Sequence, residues 1–258
     1  MNAIRPHWLL ALMIALSACT EDSPPDPEPN QAEGESGAES TEAAEAQALA
    51  EPILTREERD ALSPDEIVAM LQAGNERFAA GDLTLRDHTA QVRAAALGQW
   101  PKASVLSCID SRVPVEDVFD RGIGDVFVAR VAGNFENEDI LGSLEFASAV
   151  AGARVILVLG HEHCGAVKGA IDGAELGHLT ATLANIQPAV EHFADYEGDR
   201  TSANPEFVHM VAEENVRRTV ADIRARSETL RNLEEQGELA IVGGLYDMET
   251  GRVSLLED

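Results

Sequence analysis

Residues 154–165 read RVILVLGHEHCG, and this stretch decides the fold. Its first half is a run of large aliphatic residues without polar alternation, which is typical of a strand buried on both faces of a parallel sheet. Its second half follows that strand with two histidines and a cysteine. Because ligand sites in open parallel sheets lie at the carboxyl ends of the strands, the stretch predicts both a sheet and a site at its edge.

Two earlier segments carry the same apolar signal. Residues 103–108 read ASVLSC and residues 126–131 read VFVARV, so each predicts another short buried strand. A helix precedes them, because residues 63–66 form a capping box with proline at the first helical position. This helix is predicted to run to about Phe78 and to stop near Gly81.

The rest of the domain alternates helix and strand patterns. Residues 139–151 have helical composition, and a long helical pattern covers residues 205–235. Residues 239–246 and 252–256 flank the turn 249–251 and predict a closing hairpin. The predicted fold class is therefore α/β, with a central, mainly parallel sheet flanked by helices and an antiparallel hairpin at its edge.

A second polar motif follows the first predicted strand. Residues 108–112 read CIDSR, and Cys108 and Cys164 are the only cysteines after position 19. Two thiolates and the imidazole of His161 form a borderline-soft set that suits Zn²⁺. Three protein ligands leave a fourth position open, which is the arrangement of a catalytic zinc site.

Three other interpretations compete with a catalytic zinc site, and the spacing of the residues argues against the second of them. Cys108 and Cys164 could form a disulfide, as in proteins of oxidising compartments. A cysteine phosphatase needs more residues between Cys108 and Arg112 than this chain has. A structural or zinc-buffering site would need a fourth fixed ligand, for which Asp110 or His163 is available.

Cys-x-Asp-Ser-Arg followed by His-x-x-Cys-Gly resembles the β-class carbonic anhydrase family. The resemblance extends over most of the domain, from Gly98 to Val253. Flanking stretches that agree with the family are residues 98–101, 124–128, 132–134, 143–147, 244–247 and 250–253.

The resemblance implies a function and roles for the motif residues. Cys108, His161 and Cys164 would bind one zinc ion per subunit, and zinc-bound hydroxide would attack carbon dioxide to give bicarbonate and a proton. Asp110 would accept a hydrogen bond from the hydroxide while Arg112 fixes its carboxylate. If that pair breaks, Asp110 becomes a fourth zinc ligand and closes the site.

The resemblance also implies a pocket and an oligomer. Gln99 would reach the substrate from the neighbouring subunit of a homodimer or larger homo-oligomer, in which the N-terminal helix takes part in dimerisation. His163 is the candidate proton shuttle, because it lies between two ligand positions. The residues expected to line the pocket, besides Gln99, are Phe127, Ala132, Phe146 and Gly165.

The N-terminal segment predicts a lipoprotein. Residues 1–18 have the shape of a secretory signal, and the sequence around Cys19, LSAC, resembles the bacterial lipobox that precedes a lipid-modified cysteine. Residues 19–52 are acidic and proline-rich, without lysine or arginine, and read as a disordered tether. Residues 53–258 form the catalytic domain. The expected location is the bacterial cell envelope, with the domain facing the periplasm or the cell exterior.

The charge of the chain limits the classes of molecule that it is expected to bind. A formal net charge of −27 argues against nucleic-acid binding, and the domain alone, with 36 acids and 18 bases, still carries −18. Carbon dioxide and bicarbonate are the expected small-molecule partners, and contact with a membrane is expected only through lipid on Cys19. The alternative function is a zinc-binding or zinc-storage envelope lipoprotein without hydration activity.

Overall fold

A five-stranded β-sheet forms the centre of the computed structural model, which describes residues 54–257. Its strands lie in the order β2-β1-β3-β4-β5; the first four are parallel and β5 is antiparallel to β4. The predicted fold class, including the antiparallel edge hairpin, is confirmed. The strands are β1 (Ala103–Ser107), β2 (Val126–Arg130), β3 (Val155–His161), β4 (Ala240–Tyr246) and β5 (Val253–Leu255).

Helices cover both faces of this sheet. A π-helical turn, Phe146–Val150, continues α5 and completes the helical segment predicted at residues 139–151. The helices are α1 (Arg56–Asp60), α2 (Pro64–Ala80), α3 (His88–Ala95), α4 (Val115–Val118), α5 (Glu138–Glu145), α6 (Gly165–Ile171), α7 (Gly177–Ala184), α8 (Gln187–His192), α9 (Pro205–Arg226) and α10 (Glu228–Glu235).

Successive residues of β3 pack on opposite faces of the sheet, as strand geometry requires. Leu157 and Leu159 join a core cluster with residues of α2 and α4. Ile156 and Val158 join a different cluster with residues of α5, α9 and α10. All seven residues of β3 are buried, which is why its sequence is apolar without alternation.

The register of the sheet brings the two polar motifs to one edge. Ser107, the last residue of β1, pairs with Leu159 of β3 and with Arg130 of β2. Cys108 therefore leaves β1 at the level where β3 reaches Gly160 and His161. The predicted convergence of the two motifs follows directly from this parallel pairing.

The predicted start of α2 is confirmed by its cap. The Ser63 hydroxyl accepts a hydrogen bond from the N–H of Glu66, and the Glu66 carboxylate accepts one from the N–H of Ser63. The helix ends at Gly81, whose φ of +72° suits glycine better than any other residue.

The prediction of one helix over residues 205–235 is wrong at Ser227. The backbone of Ser227 is extended there, with φ −107° and ψ 105°, so α9 ends at Arg226 and α10 begins at Glu228. The Ser227 hydroxyl caps α10 by accepting a hydrogen bond from the N–H of Leu230, and it donates one to the Glu145 carboxylate at 2.6 Å. A tertiary contact to α5 thus fixes the break, and helical periodicity in the sequence does not reveal it.

Several predictions concern residues that the structure does not describe. The signal segment 1–18, Cys19 and the tether 19–52 lie outside residues 54–257. Within the described range, no helix is both long enough and apolar enough to cross a membrane.

A buried carboxylate ties α2 and the segment that follows it to the segment after α4. Asp120 is 1% exposed and accepts hydrogen bonds from Arg77, Arg86 and both the N–H and the hydroxyl of Thr84. Burial raises the pKa of Asp120, but the bonds from Arg86, Thr84 and Arg77 outweigh it and lower the pKa to about 2. The carboxylate is therefore charged in the folded protein at every physiological pH.

We expect Asp120→Asn to lower the free energy of unfolding at pH 7 by about 3–5 kcal/mol, because it breaks a buried ion pair. Since the folded pKa of Asp120 lies below its ordinary value of 3.8, its contribution is present above pH 4 and is lost as the pH falls towards 2. The stability difference between wild type and variant should narrow by about 1 kcal/mol at pH 3. Urea unfolding at both pH values measures this, and a difference that widens on acidification would contradict it.

Candidate metal centre

Three buried side chains meet where β1 and β3 end. Cys108 follows β1, His161 ends β3, and Cys164 immediately precedes α6. Their ligand atoms all lie within 4.8 Å of one another. The parallel sheet thus assembles residues that are 53 and 56 positions apart in the sequence.

Both cysteines of the cluster are free thiols, so the disulfide alternative is not what the structure contains. The two sulfur atoms lie 3.9 Å apart. The hydrogen bond with Cys164, helped by the N–H groups of Gly133 and Asp110, lowers the pKa of Cys108 against the opposing effect of burial. The same bond, together with burial, raises the pKa of Cys164. A bound cation would displace the protons that the two sulfur atoms carry.

His161 is oriented to bind a cation. Its Nδ1 lies 2.8 Å from the carbonyl oxygen of Glu162, so Nδ1 carries the proton and donates it. Nε2 is buried, faces the two sulfur atoms, and has no hydrogen-bond partner within residues 54–257. A buried lone pair without a partner is costly unless a metal binds it, so the donor set fits zinc.

Asp110 and Arg112 form a pair beside the cluster. The Asp110 carboxylate accepts from Nε and Nη2 of Arg112 at 2.9 and 2.8 Å, and from the Arg112 N–H at 3.0 Å. These bonds hold the pKa of Asp110 at about 2, so it is a hydrogen-bond acceptor at neutral pH. Its Oδ2 lies 3.9 Å from Nε2 of His161. The carboxylate thus borders the space between the ligand atoms while remaining bound to Arg112.

Sequence reasoning missed one support of this loop. Arg130, at the end of β2, donates to the carbonyl oxygens of Cys108 and Val113 at 2.8 and 2.7 Å. One guanidinium therefore holds both ends of the loop that carries Asp110 and Arg112. The signal in the sequence that could have pointed to this contact is a single arginine within the otherwise apolar run of residues 126–131.

A tight turn after β2 also contacts the cluster. The N–H of Asn134 donates to the carbonyl of Val131 at 3.0 Å, and Gly133 has φ +90° at the third position of this turn. The N–H of Gly133 points at Sγ of Cys108, 3.4 Å away. A Cβ at Gly133 would lie 2.4 Å from Cδ1 of the buried Ile186, and the φ of +90° would strain any residue other than glycine.

The predicted pocket residues divide between two ends of the sheet. Ala132 lies in the turn that contacts Cys108, and Gly165 follows Cys164 with open space where a side chain would extend. Phe127 instead pairs with Ser104, four residues before Cys108 and so about 13 Å along the strand. Gln99 lies beside Gly124 at that same amino end. Phe146 contacts Phe127 there, with the ring centres 6.2 Å apart.

His163 lies between two ligands, as its position in the sequence requires. Its φ of +55° places it in the left-handed region, so the chain turns sharply between His161 and Cys164. Its side chain is partly exposed, and its role as a proton shuttle stays a prediction.

Comparisons with known proteins agree with this geometry. A model of the family described as "Carbonic anhydrase" matches residues 103–253. Carbonic anhydrase 2 of Mycobacterium tuberculosis is 38% identical over 190 residues, which cover 72% of this chain and 89% of the relative. A carbonic anhydrase of Pseudomonas aeruginosa is 32% identical over 171 residues, covering 64% of this chain and 77% of the relative.

Solved structures resemble the fold. The β-carbonic anhydrase CafA of Aspergillus fumigatus has 27% identity and a TM-score of 0.60, covering 75% of this chain and 91% of that one. A structure from Sordaria macrospora, described as one of two tetrameric β-carbonic anhydrases, has 25% identity and a TM-score of 0.60. It covers 75% of this chain and 98% of that one.

Proposed function

Because this chain belongs to the β-class carbonic anhydrase family, we propose specific roles for the residues at its metal centre. The reaction is the zinc-dependent, reversible hydration of carbon dioxide to bicarbonate and a proton. Cys108, His161 and Cys164 bind the zinc ion, one per subunit. Asp110 and Arg112 act on the water that reacts.

The observation that carries the proposal is the buried donor set with its unpartnered imidazole nitrogen. His161 already has the tautomer that leaves Nε2 free to bind a cation, and both sulfur atoms face it. When bound in such a site, zinc acts as a Lewis acid that lets water serve as a nucleophile near neutral pH. Three ligands from the chain leave one position for that water.

Asp110 orients the reacting water. As a carboxylate with a pKa of about 2, it accepts a hydrogen bond and does not supply a proton at neutral pH. Arg112 holds both carboxylate oxygens, so the accepting lone pairs keep a fixed direction beside His161 Nε2. This arrangement directs the water's other lone pair towards carbon dioxide and keeps Asp110 away from the metal position.

Hydration of carbon dioxide by the zinc-loaded chain from Thr20 onward, followed by stopped flow at pH 8.5, tests this proposal. Turnover that depends on zinc is expected. Bound zinc without hydration activity would instead support the zinc-storage alternative.

A second copy of the chain completes the substrate pocket. β2 is an edge strand, and Phe146 beside it is 53% exposed. If two β2 strands pair about a two-fold axis, they run antiparallel, so the amino end of one meets the carboxyl end of the other. The surface formed by Phe127 and Phe146 of the partner subunit, together with the partner's Gln99, then lies across the end of this subunit's sheet that carries Cys108. The description of a related structure as tetrameric supports such assembly.

We expect Phe146→Asp to weaken the dimer strongly. Each two-fold interface would bury the exposed half of Phe146 twice, which corresponds to about 1.5–3 kcal/mol and a roughly 10- to 10²-fold change in dissociation constant. Sedimentation should show a monomer that retains zinc but hydrates carbon dioxide more slowly. Leu176→Asp is the control and should leave the oligomer intact, because Leu176 is also an exposed apolar residue and lies immediately before α7. An unchanged oligomer with Phe146→Asp would refute the interface.

The proposal extends to the location of the protein in the bacterial cell envelope. Residues 1–18 form the lipoprotein signal, Cys19 carries the lipid, and the acidic segment 19–52 separates the domain 53–258 from the membrane. Support comes from the lipobox-like LSAC at residues 16–19 and from the absence of lysine and arginine in the tether sequence.

We expect Cys19→Ala to move the protein from the membrane fraction to the soluble fraction when the chain is expressed in a bacterium. The reason is that the lipid on Cys19 is the proposed anchor. Fractionation, with incorporation of labelled palmitate as a second measurement, checks this. Ser17→Thr, two residues earlier, is the control and should stay in the membrane. Equal membrane association of wild type and Cys19→Ala would contradict the anchor.

A further inference from the structure

Helix α9 carries a buried amide on a mostly apolar face. Asn215 is 3% exposed, and neighbouring positions on the same face are Val211, Ala212 and Val216. An amide buried among aliphatic side chains costs free energy unless it is hydrogen-bonded. A hydrogen bond of the Asn215 side chain must therefore offset the cost of burying its amide.

That contact leads to the metal centre through two hydrogen bonds. Nδ2 of Asn215 donates to the carbonyl oxygen of Gly133 at 2.8 Å, in a buried setting. The N–H of Gly133 in turn points at Sγ of Cys108 at 3.4 Å. Asn215 thus reaches a zinc ligand through a single intervening residue, although it is 107 positions away in the sequence.

Gly133 needs this restraint because glycine has the most flexible backbone of all residue types. Its φ of +90° is accessible to glycine, but a glycine can also leave that conformation at little cost. Two hydrogen bonds hold the peptide group that follows Gly133: its N–H, on Asn134, donates to Val131, and its carbonyl oxygen accepts from Asn215. With this peptide held at both its donor and its acceptor, the turn keeps its shape and the preceding N–H of Gly133 stays directed at the sulfur.

We propose that Asn215 is a positioning residue for the zinc site: it fixes Gly133 so that the Gly133 amide donates to the Cys108 thiolate. The N–H···S bond orients the sulfur lone pairs towards the metal and reduces the electron density that this thiolate donates. The inference rests on the proposed role of Cys108 as a zinc ligand. It assigns to α9 a part in the metal centre besides packing.

Thr219, one turn further along α9, provides a matched comparison. It is also buried, at 2% exposure, and its hydroxyl donates to the carbonyl of Asn215 at 2.8 Å. This bond stays within the helix and does not reach the turn at Gly133. Thr219→Val therefore removes a buried polar group from the same helix and leaves the contact with the zinc site in place.

The test compares zinc affinity in Asn215→Leu and Thr219→Val by competition with a chelator. Loss of a residue that orients a metal ligand typically weakens metal binding about 10- to 100-fold. We expect that loss for Asn215→Leu and a change of less than about threefold for Thr219→Val. An affinity of Asn215→Leu within about threefold of wild type would overturn the proposal.

A second measurement separates positioning from packing. In the zinc-loaded wild type, the Gly133 amide proton should resonate downfield and exchange slowly with solvent, because it is bonded to sulfur. Asn215→Leu should move it upfield and speed its exchange, and Asn215→Gln, which keeps an amide donor, should restore part of both effects and of the zinc affinity.

If Asn215→Leu does not fold, the comparison of Asn215→Gln with wild type decides. The coupling is supported if the Gly133 resonance and the zinc affinity of Asn215→Gln change together. A shifted resonance with unchanged zinc affinity overturns it. Failure of the wild type itself to bind zinc would refute the proposed function, which is a different outcome.

Discussion

His161→Gln is expected to yield a folded protein that loses zinc on chelator treatment and, with it, carbon dioxide hydration. His161 is 1% exposed, and its Nε2 is the buried atom that faces Cys108 and Cys164 without a hydrogen-bond partner. Glutamine approximates the volume of histidine but offers a weakly binding amide oxygen. Structural zinc sites gain about 10–16 kcal/mol from four ligands, so one ligand is worth roughly 2.5–4 kcal/mol, or a 10²- to 10³-fold change in affinity.

Metal analysis and stopped-flow hydration of the same chelator-treated sample measure this effect. His192→Gln is the matched control, because His192 is 52% exposed and pairs with Glu214 on α9. The control should retain both zinc and activity. Full zinc occupancy in His161→Gln under the same treatment would show that the three-residue cluster does not hold the metal.

Asp110→Asn is expected to lower kcat/KM for hydration about 10²- to 10⁴-fold while zinc stays bound. The amide removes the charge that Arg112 fixes and replaces one accepting oxygen with a donor group. Zinc should remain because Asp110 is paired with Arg112 and its Oδ2 stays 3.9 Å from His161 Nε2. Arg112→Lys keeps the positive charge but loses the two-point contact, so an intermediate loss is expected.

Asp172→Asn serves as the control for this substitution. Asp172 is likewise a hydrogen-bonded aspartate, with a pKa lowered by its bonds to Ser202, but it lies after α6 and outside the metal centre. The kcat/KM of Asp172→Asn should match that of the wild type. Wild-type turnover in Asp110→Asn would mean that the carboxylate is a structural ion pair with Arg112, and loss of zinc would mean that it is a metal ligand.

The strands and the start of α2 could be predicted because their signals are local. An uninterrupted aliphatic run such as residues 155–159 records burial on both faces, and the Ser63 capping box records a helix start within four residues. The break at Ser227 could not be predicted in this way. It depends on a hydrogen bond to Glu145, 82 positions earlier, which leaves no periodic trace in the sequence.

The sequence by itself pointed to the side chains that could hold a metal, Cys108, His161 and Cys164, and to Asp110 and Arg112 as candidates beside them. Their chemistry and their position just after predicted strands are local properties of the chain. Only the tertiary structure decided that the thiols remain free, that Nε2 of His161 is left for a cation, and that the pocket residues divide between two ends of the sheet. The same holds for the contacts of Arg130 and Asn215, since long-range hydrogen bonds depend on strand order and register, which no single segment encodes.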